Sequence, residues 1–291
     1  MPMGFPHVEG VSHRFVDAGG LRMHVAEAGP EDGEVVVLLH GWPQHWYEWR
    51  GLVPELSKRY RMVMPDLRGL GWTEVTPRGY EKHNLARDVI ALLDALGLER
   101  VKLIGHDWGG YAGFLVCLLA PERVERYMAL NVIHPWPRRS LRALIRNSWR
   151  LSYQLPLIAP FLAPRITRTG YVRLVLNRGG RGAFSESEVE AFAAPLREPG
   201  RAAVTAKYYR SFQFRDLPRL LAGHWTRYRL SVPTLLFFGT GDFAIHPSNL
   251  EGYEPYADDM RVELAGETGH FIVDAEPGLV ARRALEFFGA R

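Results

Sequence analysis

The sequence predicts an α/β fold, with a mostly parallel sheet, helices on both faces and an inserted helical segment. Three observations predict it. Short apolar runs typical of buried strands alternate with stretches at helical spacing over much of the 291 residues. The glycine-rich turn at residues 105–110 joins one such run directly to a helical stretch. After this turn, and before the last two apolar runs, residues 134–229 are typical of helices separated by prolines.

The elements follow in order along the chain. Residues 13–16 and 21–28 are expected to form an opening hairpin, with its turn at residues 17–20. Six apolar runs predict the strands of the core, at residues 35–39, 61–64, 101–104, 126–130, 234–238 and 261–264. Residues 277–288 are expected to form a closing helix. The predicted organisation is a first core segment at 1–133, a helical cap at 134–229 and a second core segment at 230–291.

Charge is divided unevenly between these parts. The predicted cap has 17 arginines and one lysine against four glutamates and one aspartate, a net charge of +13, and the remainder carries −9. Four arginines recur every four residues and predict one basic face of an amphipathic helix: Arg138, Arg142, Arg146 and Arg150. Such a face suits an anionic membrane surface or a solvated exterior, and we favour the solvated exterior.

Several classes of function find no support in the sequence. No recognisable nucleic-acid-binding module accompanies the basic residues, so no nucleic-acid partner is expected. The 11 histidines include no pair at zincin-type spacing, and no nucleotide-binding fingerprint is present, so neither a metal nor a cofactor is expected. We see no signal peptide and no apolar stretch long enough to span a bilayer, and we expect a cytoplasmic monomer or homodimer.

The glycine-rich turn presents a carboxylate. Small flanking residues permit a strained strand-to-helix turn that lifts the central side chain, here Asp107, out of the sheet. A carboxylate that attacked an ester would form an anhydride, whereas its attack on an sp3 carbon displaces a leaving group and gives an alkyl ester of the enzyme. The sequence therefore predicts Asp107 as the nucleophile of a two-step reaction.

Hydrolysis of that ester requires a base and a group that orients it. His270 follows the last predicted strand, and imidazole is the side chain that titrates near neutral pH. Asp242 lies on the loop after strand 234–238 and is predicted to orient His270. The other position for an acid, after strand 126–130, holds Asn131 and is set aside.

The hydrolysis step also develops negative charge on the ester carbonyl oxygen of Asp107. Backbone N–H groups are the usual donors to such an oxyanion, and removing one typically costs on the order of 3 kcal/mol. We predict the N–H of Trp108 as one donor. The second is expected from Trp42, on the loop after strand 35–39.

Taken together, these motifs resemble the epoxide hydrolase branch of the α/β-hydrolase superfamily, bacterial soluble epoxide hydrolases in particular. The resemblance covers nearly the whole chain and rests on residues 40–49, Asp66, Arg68, Gly69, Gly71, residues 105–110, Asp242 and residues 269–271. The order nucleophile, acid, histidine is that of an α/β-hydrolase. The resemblance implies an α/β-hydrolase fold with a helical cap, and hydrolysis of an epoxide to a vicinal diol.

The resemblance further implies two cap tyrosines that hydrogen-bond the epoxide oxygen and protonate it as the ring opens. Tyr209 matches the second of them and Tyr153 the first. An alignment one turn earlier would instead put Trp149 or Arg150 at the first position, and epoxide opening would then be weakened or lost.

The remaining candidates concern the pocket. Trp46, Trp136 and Phe271, together with the tryptophans beside the nucleophile, predict an apolar pocket and hence a hydrophobic epoxide as the partner of water in the reaction. His106 is interpreted as a structural histidine beneath the turn and not as a second base.

Two alternatives to an epoxide hydrolase remain. Haloalkane dehalogenases share the aspartate, histidine and acid, but those relatives usually present an asparagine after His-Gly, where this chain has Trp42. An opening epoxide needs an acidic proton, which tyrosine supplies, so the tyrosine pair favours the epoxide. The third reading is a binding member of the fold without turnover, and the complete set of nucleophile, acid and base argues against it.

Overall fold

A computed structural model describes residues 4–137 and 153–290. Its centre is an eight-stranded sheet with the strand order β1-β2-β4-β3-β5-β6-β7-β8. The strands span Ser12–Asp17 (β1), Arg22–Ala28 (β2), Glu34–Leu39 (β3), Tyr60–Pro65 (β4), Val101–His106 (β5), Val124–Leu130 (β6), Thr234–Phe238 (β7) and Met260–Leu264 (β8). Strand β2 pairs antiparallel with β1 and β4, and all other pairs are parallel. The predicted mostly parallel sheet is confirmed.

Both faces of the sheet are covered. Every residue of β5 and β7 is buried, as expected for parallel strands with helices on each side. Successive side chains of a strand point to opposite faces. Val37 and Leu103 accordingly belong to one apolar core, and Val36 and Ile104 belong to the other.

The α-helices of the described residues lie both in the core and between β6 and β7. They span Val53–Leu56 (α1), Lys82–Ala95 (α2), Asp107–Leu119 (α3), Leu155–Ile158 (α4), Leu162–Thr167 (α5), Tyr171–Gly180 (α6), Glu186–Ala193 (α7), Pro199–Ser211 (α8), Leu217–Leu221 (α9), Ile272–Ala275 (α10) and Pro277–Gly289 (α11). A π-helical segment, Phe212–Asp216, joins α8 to α9. The closing helix was predicted to within one residue at its end.

Helices α4 to α9 form the described part of the predicted cap. They lie in the chain between β6 and β7, and α8 packs against α4 and α5. The predicted cap boundaries at 134 and 229 stay a prediction. The predicted basic face of Arg138, Arg142, Arg146 and Arg150 falls outside the described residues. None of the helices within residues 4–137 and 153–290 is long and apolar enough to cross a membrane.

The parallel strands bring the predicted site together at one edge of the sheet. Parallel strands have their carboxyl ends on the same side, so the residues that follow them are neighbours. Trp42 comes shortly after β3, Asp107 directly after β5 and Asn131 directly after β6. Asp242 and His270 lie on the loops that follow β7 and β8.

Candidate active site

The turn between β5 and α3 holds Asp107 in a strained backbone conformation. Its φ angle is +48°, a left-handed value that is uncommon for a residue with a side chain. The turn is tight on both sides. A Cβ atom at Gly109 would lie 2.1 Å from the carbonyl oxygen of Leu39, and one at Gly105 would lie 2.7 Å from that of Gly109. Glycine at these two positions is therefore what allows Asp107 to stand out of the sheet.

The Asp107 carboxylate contacts the loop after β3. Its Oδ2 atom accepts a hydrogen bond of 3.0 Å from the backbone N–H of Trp42. Gly41 permits this approach, because a Cβ there would lie 2.7 Å from the same oxygen. Trp108 is the second residue of α3, and N–H groups in the first turn of a helix have no acceptor within the helix. The predicted donor of Trp42 thus lies beside the carboxylate in space, and that of Trp108 belongs to the next residue in the chain.

His270 lies between two carboxylates. Its Nδ1 atom is 2.7 Å from Oδ2 of Asp242, and its Nε2 atom is 3.8 Å from Oδ1 of Asp107. The first distance is that of a hydrogen bond, and the second is too long for one. An imidazole that donates from Nδ1 to Asp242 keeps the Nε2 lone pair on the side of Asp107. This arrangement suits a base that takes a proton from water beside Asp107.

Asp242 is buried and well supplied with donors. Its Oδ1 atom accepts from the backbone N–H groups of Ala244 at 2.7 Å and Ile245 at 3.0 Å. Burial acts to raise the pKa of Asp242, but the charge and hydrogen bond of His270, followed by the bonds from Asn131 and Ile245, bring it below its usual value. The carboxylate is therefore ionised and able to stabilise a protonated His270.

Asn131 is a site residue that sequence reasoning missed. Its Nδ2 group donates to Oδ2 of Asp242 at 2.9 Å, and its Oδ1 atom accepts from the N–H of Gly239 at 3.0 Å. Its φ angle is +40°, which asparagine tolerates better than most residues. The available signal was its position at the carboxyl end of β6, next to β7. From the sequence, that position was considered only as a place for an acid.

Two tyrosines of the segment between β6 and β7 lie close to this group. Tyr209, on α8, is buried, and its ring packs edge-on against the rings of Trp42 and Trp108, with centroid distances of 5.3 and 5.7 Å. Tyr153 packs edge-on against Tyr209 at 6.3 Å and against Phe243 at 5.3 Å. The aromatic rings therefore run continuously from the nucleophile turn to the Asp242 loop.

Both phenols are influenced by the nucleophile. Burial raises the pKa of Tyr153, and the negative charge of Asp107 raises it further. Burial, then neighbouring Tyr153 and then Asp107 raise the pKa of Tyr209 well above its usual value. Both groups therefore carry their proton at neutral pH. Trp149 and Arg150, the alternatives to Tyr153, lie outside the described residues.

With this geometry established, the family follows from comparison with known proteins. A family model for the alpha/beta hydrolase fold matches residues 34–277 of the chain. The chain belongs to the α/β-hydrolase family. The fold and the family predicted from its motifs are confirmed.

Several epoxide hydrolases are similar to this α/β-hydrolase over almost its full length. Epoxide hydrolase 2 of Siraitia grosvenorii is 30% identical to it, with 96% of this chain and 99% of the relative covered. The soluble epoxide hydrolase of Corynebacterium sp. (strain C12) is 28% identical, with coverage of 96% and 97%. The solved structure of epoxide hydrolase CorEH without ligand superposes with a TM-score of 0.81 at 28% identity, covering 96% of this chain and 99% of that one.

Two of the predicted pocket residues of this α/β-hydrolase lie in different apolar cores. Trp46 packs in the core on the other face of the sheet, where its ring contacts His13 at 4.7 Å and its backbone N–H donates to Asp66 at 2.8 Å. Trp136 donates its indole N–H to the carbonyl of Trp225 at 2.8 Å and stacks on Tyr256. Trp46 therefore lies on the opposite face of the sheet from Trp42, whereas Trp136 belongs to the same apolar core as Trp42 and Trp108. A substrate contact for either ring stays a prediction.

The third predicted pocket residue, Phe271, lies beside the histidine. It is fully buried, and its ring centroid is 5.1 Å from that of His270 and 5.4 Å from that of Phe184. Its contact with His270 fixes one side of the imidazole. A contact with substrate stays a prediction.

A buried ion pair lies beneath the nucleophile turn. The Nδ1 atom of His106 is 2.7 Å from Oε1 of Glu48, and Nε2 of His106 contacts the carbonyl of His270 at 2.9 Å. Burial acts to lower the pKa of His106, but Glu48, then Asp107 and the His270 carbonyl raise it to about 9. Glu48 also accepts from the N–H of Gly41 at 3.2 Å. These contacts agree with a structural His106, whereas the role of Glu48 was not predicted.

Proposed function

We propose that this α/β-hydrolase converts a hydrophobic epoxide to a vicinal diol through an ester on Asp107. The observation that carries the proposal is the edge-on packing of Tyr153 against Tyr209, and of Tyr209 against Trp42 and Trp108 beside the nucleophile. A nucleophile for carbon and a proton donor for oxygen are the two groups that opening an epoxide requires. The chain's similarity to named epoxide hydrolases supports the same reaction.

In the first step, Asp107 attacks one epoxide carbon. A bond forms between a carboxylate oxygen and that carbon, and the bond from the carbon to the ring oxygen breaks. The ring oxygen takes a proton from Tyr153 or Tyr209 and becomes the hydroxyl of a hydroxyalkyl ester. Binding holds the epoxide ring between the nucleophile and the proton donors. The entropic cost of bringing these groups together, a large part of the activation barrier, is then no longer part of the chemical step.

In the second step, water hydrolyses the ester. Nε2 of His270 takes a proton from water as its oxygen attacks the carboxyl carbon of Asp107, and the ionised Asp242 stabilises the imidazolium. The developing oxyanion receives hydrogen bonds from the N–H groups of Trp42 and Trp108. The bond from the carboxyl carbon to the ester oxygen then breaks, and the diol leaves with an oxygen from Asp107 after taking the remaining proton of the attacking water. Asp107 keeps the oxygen from water as a carboxylate oxygen. The proton on His270 then returns the tyrosine to its neutral form through solvent.

The setting of the site favours an apolar substrate. The rings of Trp42, Trp108, Tyr209, Tyr153 and Phe243 surround the nucleophile and the Asp242 loop. In this proposal, the predicted cap at residues 134–229 carries both proton donors and closes the site over the substrate, as is common for enzymes that exclude water.

A haloalkane dehalogenase is the second candidate, and one observation favours it. The indole N–H of Trp108 is buried and has no hydrogen-bond partner among the described residues, so it is available to a halide. The indole N–H of Trp42, in contrast, donates to the hydroxyl of Thr205 at 3.0 Å. A halide would therefore find one free indole donor, whereas an alkoxide needs a proton, which Tyr153 and Tyr209 both carry.

A parallel turnover assay tests the proposal. The purified protein is incubated with styrene oxide and, separately, with 1-bromobutane, and diol and bromide are measured with Asp107→Ala as the inactive control. We expect diol without bromide. We also expect Tyr209→Phe to lower diol formation by roughly 100-fold. The matched control Tyr60→Phe alters a buried tyrosine in the other core and should leave it unchanged. Bromide without diol would establish the dehalogenase instead.

A further inference from the structure

A buried lysine lies behind the nucleophile turn. Lys82 is the first residue of α2, and its side chain is fully buried. Its ammonium nitrogen lies 4.3 Å from the ring centroid of Trp108 and 4.8 Å from that of Tyr208. Trp108 directly follows Asp107 in the chain. The cation therefore contacts the residue that shares the strained turn with the proposed nucleophile.

The ammonium group also contacts α8. It donates to the carbonyl oxygen of Tyr208 at 3.2 Å and, more weakly, to that of Tyr80 at 3.4 Å. Tyr208 directly precedes Tyr209, the proposed proton donor. Lys82 thus contacts both elements that must face each other across the substrate, the turn of Asp107 and the helix of Tyr209.

The arrangement requires a reason, because burying a lysine is costly unless its charge is compensated. The lysine's backbone N–H, and not its ammonium group, bonds the carboxylate of Asp216 at 3.2 Å. The ammonium group is held mainly by carbonyl oxygens and aromatic faces. A desolvated cation–π contact is strong enough to hold a ring in one orientation.

We propose that Lys82 is a positioning residue for the Asp107 reaction, whose ammonium group holds Trp108 and α8 in place. This inference rests on the proposed function for its kinetic part. Its structural part, the link between Lys82 and Trp108, is independent of the substrate.

The protonation of Lys82 supplies a readout that a purely structural residue would lack. Burial lowers the pKa of Lys82 to about 8, although the charges of Asp216 and Asp107 act to raise it. The groups facing it are Asp107 from the nucleophile turn, Asp216 from the π-helical segment, Tyr208 from α8 and Tyr80 from the preceding loop. The positioning charge is therefore lost as the pH rises through about 8.

The kinetic test compares two lysine variants on styrene oxide. Lys82→Met removes the charge and keeps much of the side-chain volume. Lys102→Met is the matched control, because Lys102 is also buried but lies near the start of β5, where it pairs with Glu125 at 2.9 Å. We expect Lys82→Met to lower kcat by roughly tenfold with KM changed less than about twofold, and the control to change neither. Unchanged kcat, or equal losses in both variants, would overturn the proposal.

The pH profile of kcat and an NMR spectrum complete the test. In the unaltered protein kcat should fall above about pH 8, and in Lys82→Met this fall should be absent.

The indole N–H resonance of Trp108, assigned with Trp108→Phe, should shift with a midpoint near pH 8, and a resonance that does not titrate would overturn the proposal. The spectrum needs no turnover and no folded variant of Lys82. Absence of diol in the unaltered protein would count against the proposed function, whereas the resonance would still decide the role of Lys82.

Discussion

The Nδ2 group of Asn131 donates to Oδ2 of Asp242 at 2.9 Å, so one side chain from the end of β6 holds the acid from the end of β7. The same oxygen of Asp242 bonds Nδ1 of His270 at 2.7 Å. Asn131 therefore orients the acid that orients the base. Such outer partners typically affect activity by 10- to 100-fold.

Replacing Asn131 should slow the reaction without weakening substrate binding. Asn131→Gly removes both side-chain hydrogen bonds and tolerates the φ angle of +40°. We expect kcat to fall by roughly tenfold with KM nearly unchanged, because the side chain acts on the base and not on substrate. Steady-state kinetics on styrene oxide, with thermal unfolding to verify the fold, provide the measurement. A kcat equal to that of the unaltered protein would remove Asn131 from the site.

Replacing His270 should separate the two chemical steps. His270→Ala keeps the nucleophile and both tyrosines but has no base to activate water, so the ester on Asp107 should accumulate. Intact-mass analysis after incubation with styrene oxide should show one added substrate mass. The double variant Asp107→Ala/His270→Ala should show none. The two-step scheme fails if the single variant shows no adduct with a substrate that the unaltered protein turns over.

The nucleophile turn should not accept a methyl group. Gly109→Ala would place a Cβ atom 2.1 Å from the carbonyl oxygen of Leu39. We expect it to lower the free energy of unfolding by about 3 kcal/mol or more, and to abolish activity. Gly278→Ala is the matched control, because a Cβ there meets nothing within 4 Å. Urea denaturation of the two variants measures the difference, and equal midpoints would show that the turn can relax.

The Glu48–His106 ion pair should make stability depend on pH. The pKa of His106 is raised from 6.5 to about 9 in the folded protein, so its contribution is fully present below pH 6.5 and is lost as pH rises through about 9. At most it is on the order of 3 kcal/mol. Between pH 6 and 9.5, the free energy of unfolding of His106→Gln, measured by urea denaturation, should therefore depend on pH differently from that of the unaltered protein. The exposed control His7→Gln should follow the unaltered protein, and parallel curves for His106→Gln would contradict the pair.

The sequence was sufficient to predict the strands and the residues at their ends. Buried parallel strands are apolar runs of five to seven residues, and these are easily recognised between glycine- and proline-rich turns. Because parallel strands end at one edge, the placement of Asp107, Asp242 and His270 followed from chain order alone. The structure brings these three side chains together.

Contacts between distant segments were beyond sequence reasoning. Glu48 meets His106, and Lys82 meets Trp108 and Tyr208, through packing that no local pattern encodes. The place of Trp46 could not be predicted for the same reason, since a tryptophan near a motif can pack on either face of the sheet. An isolated buried lysine or glutamate becomes interpretable only when its neighbours in space are known.

The origin of the oxygen added in the first turnover tests the central claim most directly. The enzyme, in excess over styrene oxide, is allowed one turnover in water labelled with oxygen-18. If Asp107 forms the ester, the diol should carry no label, and a peptide containing Asp107 should gain one labelled oxygen. If water attacks the epoxide directly, the diol of the first turnover will be labelled and Asp107 will not, and the covalent account is then wrong.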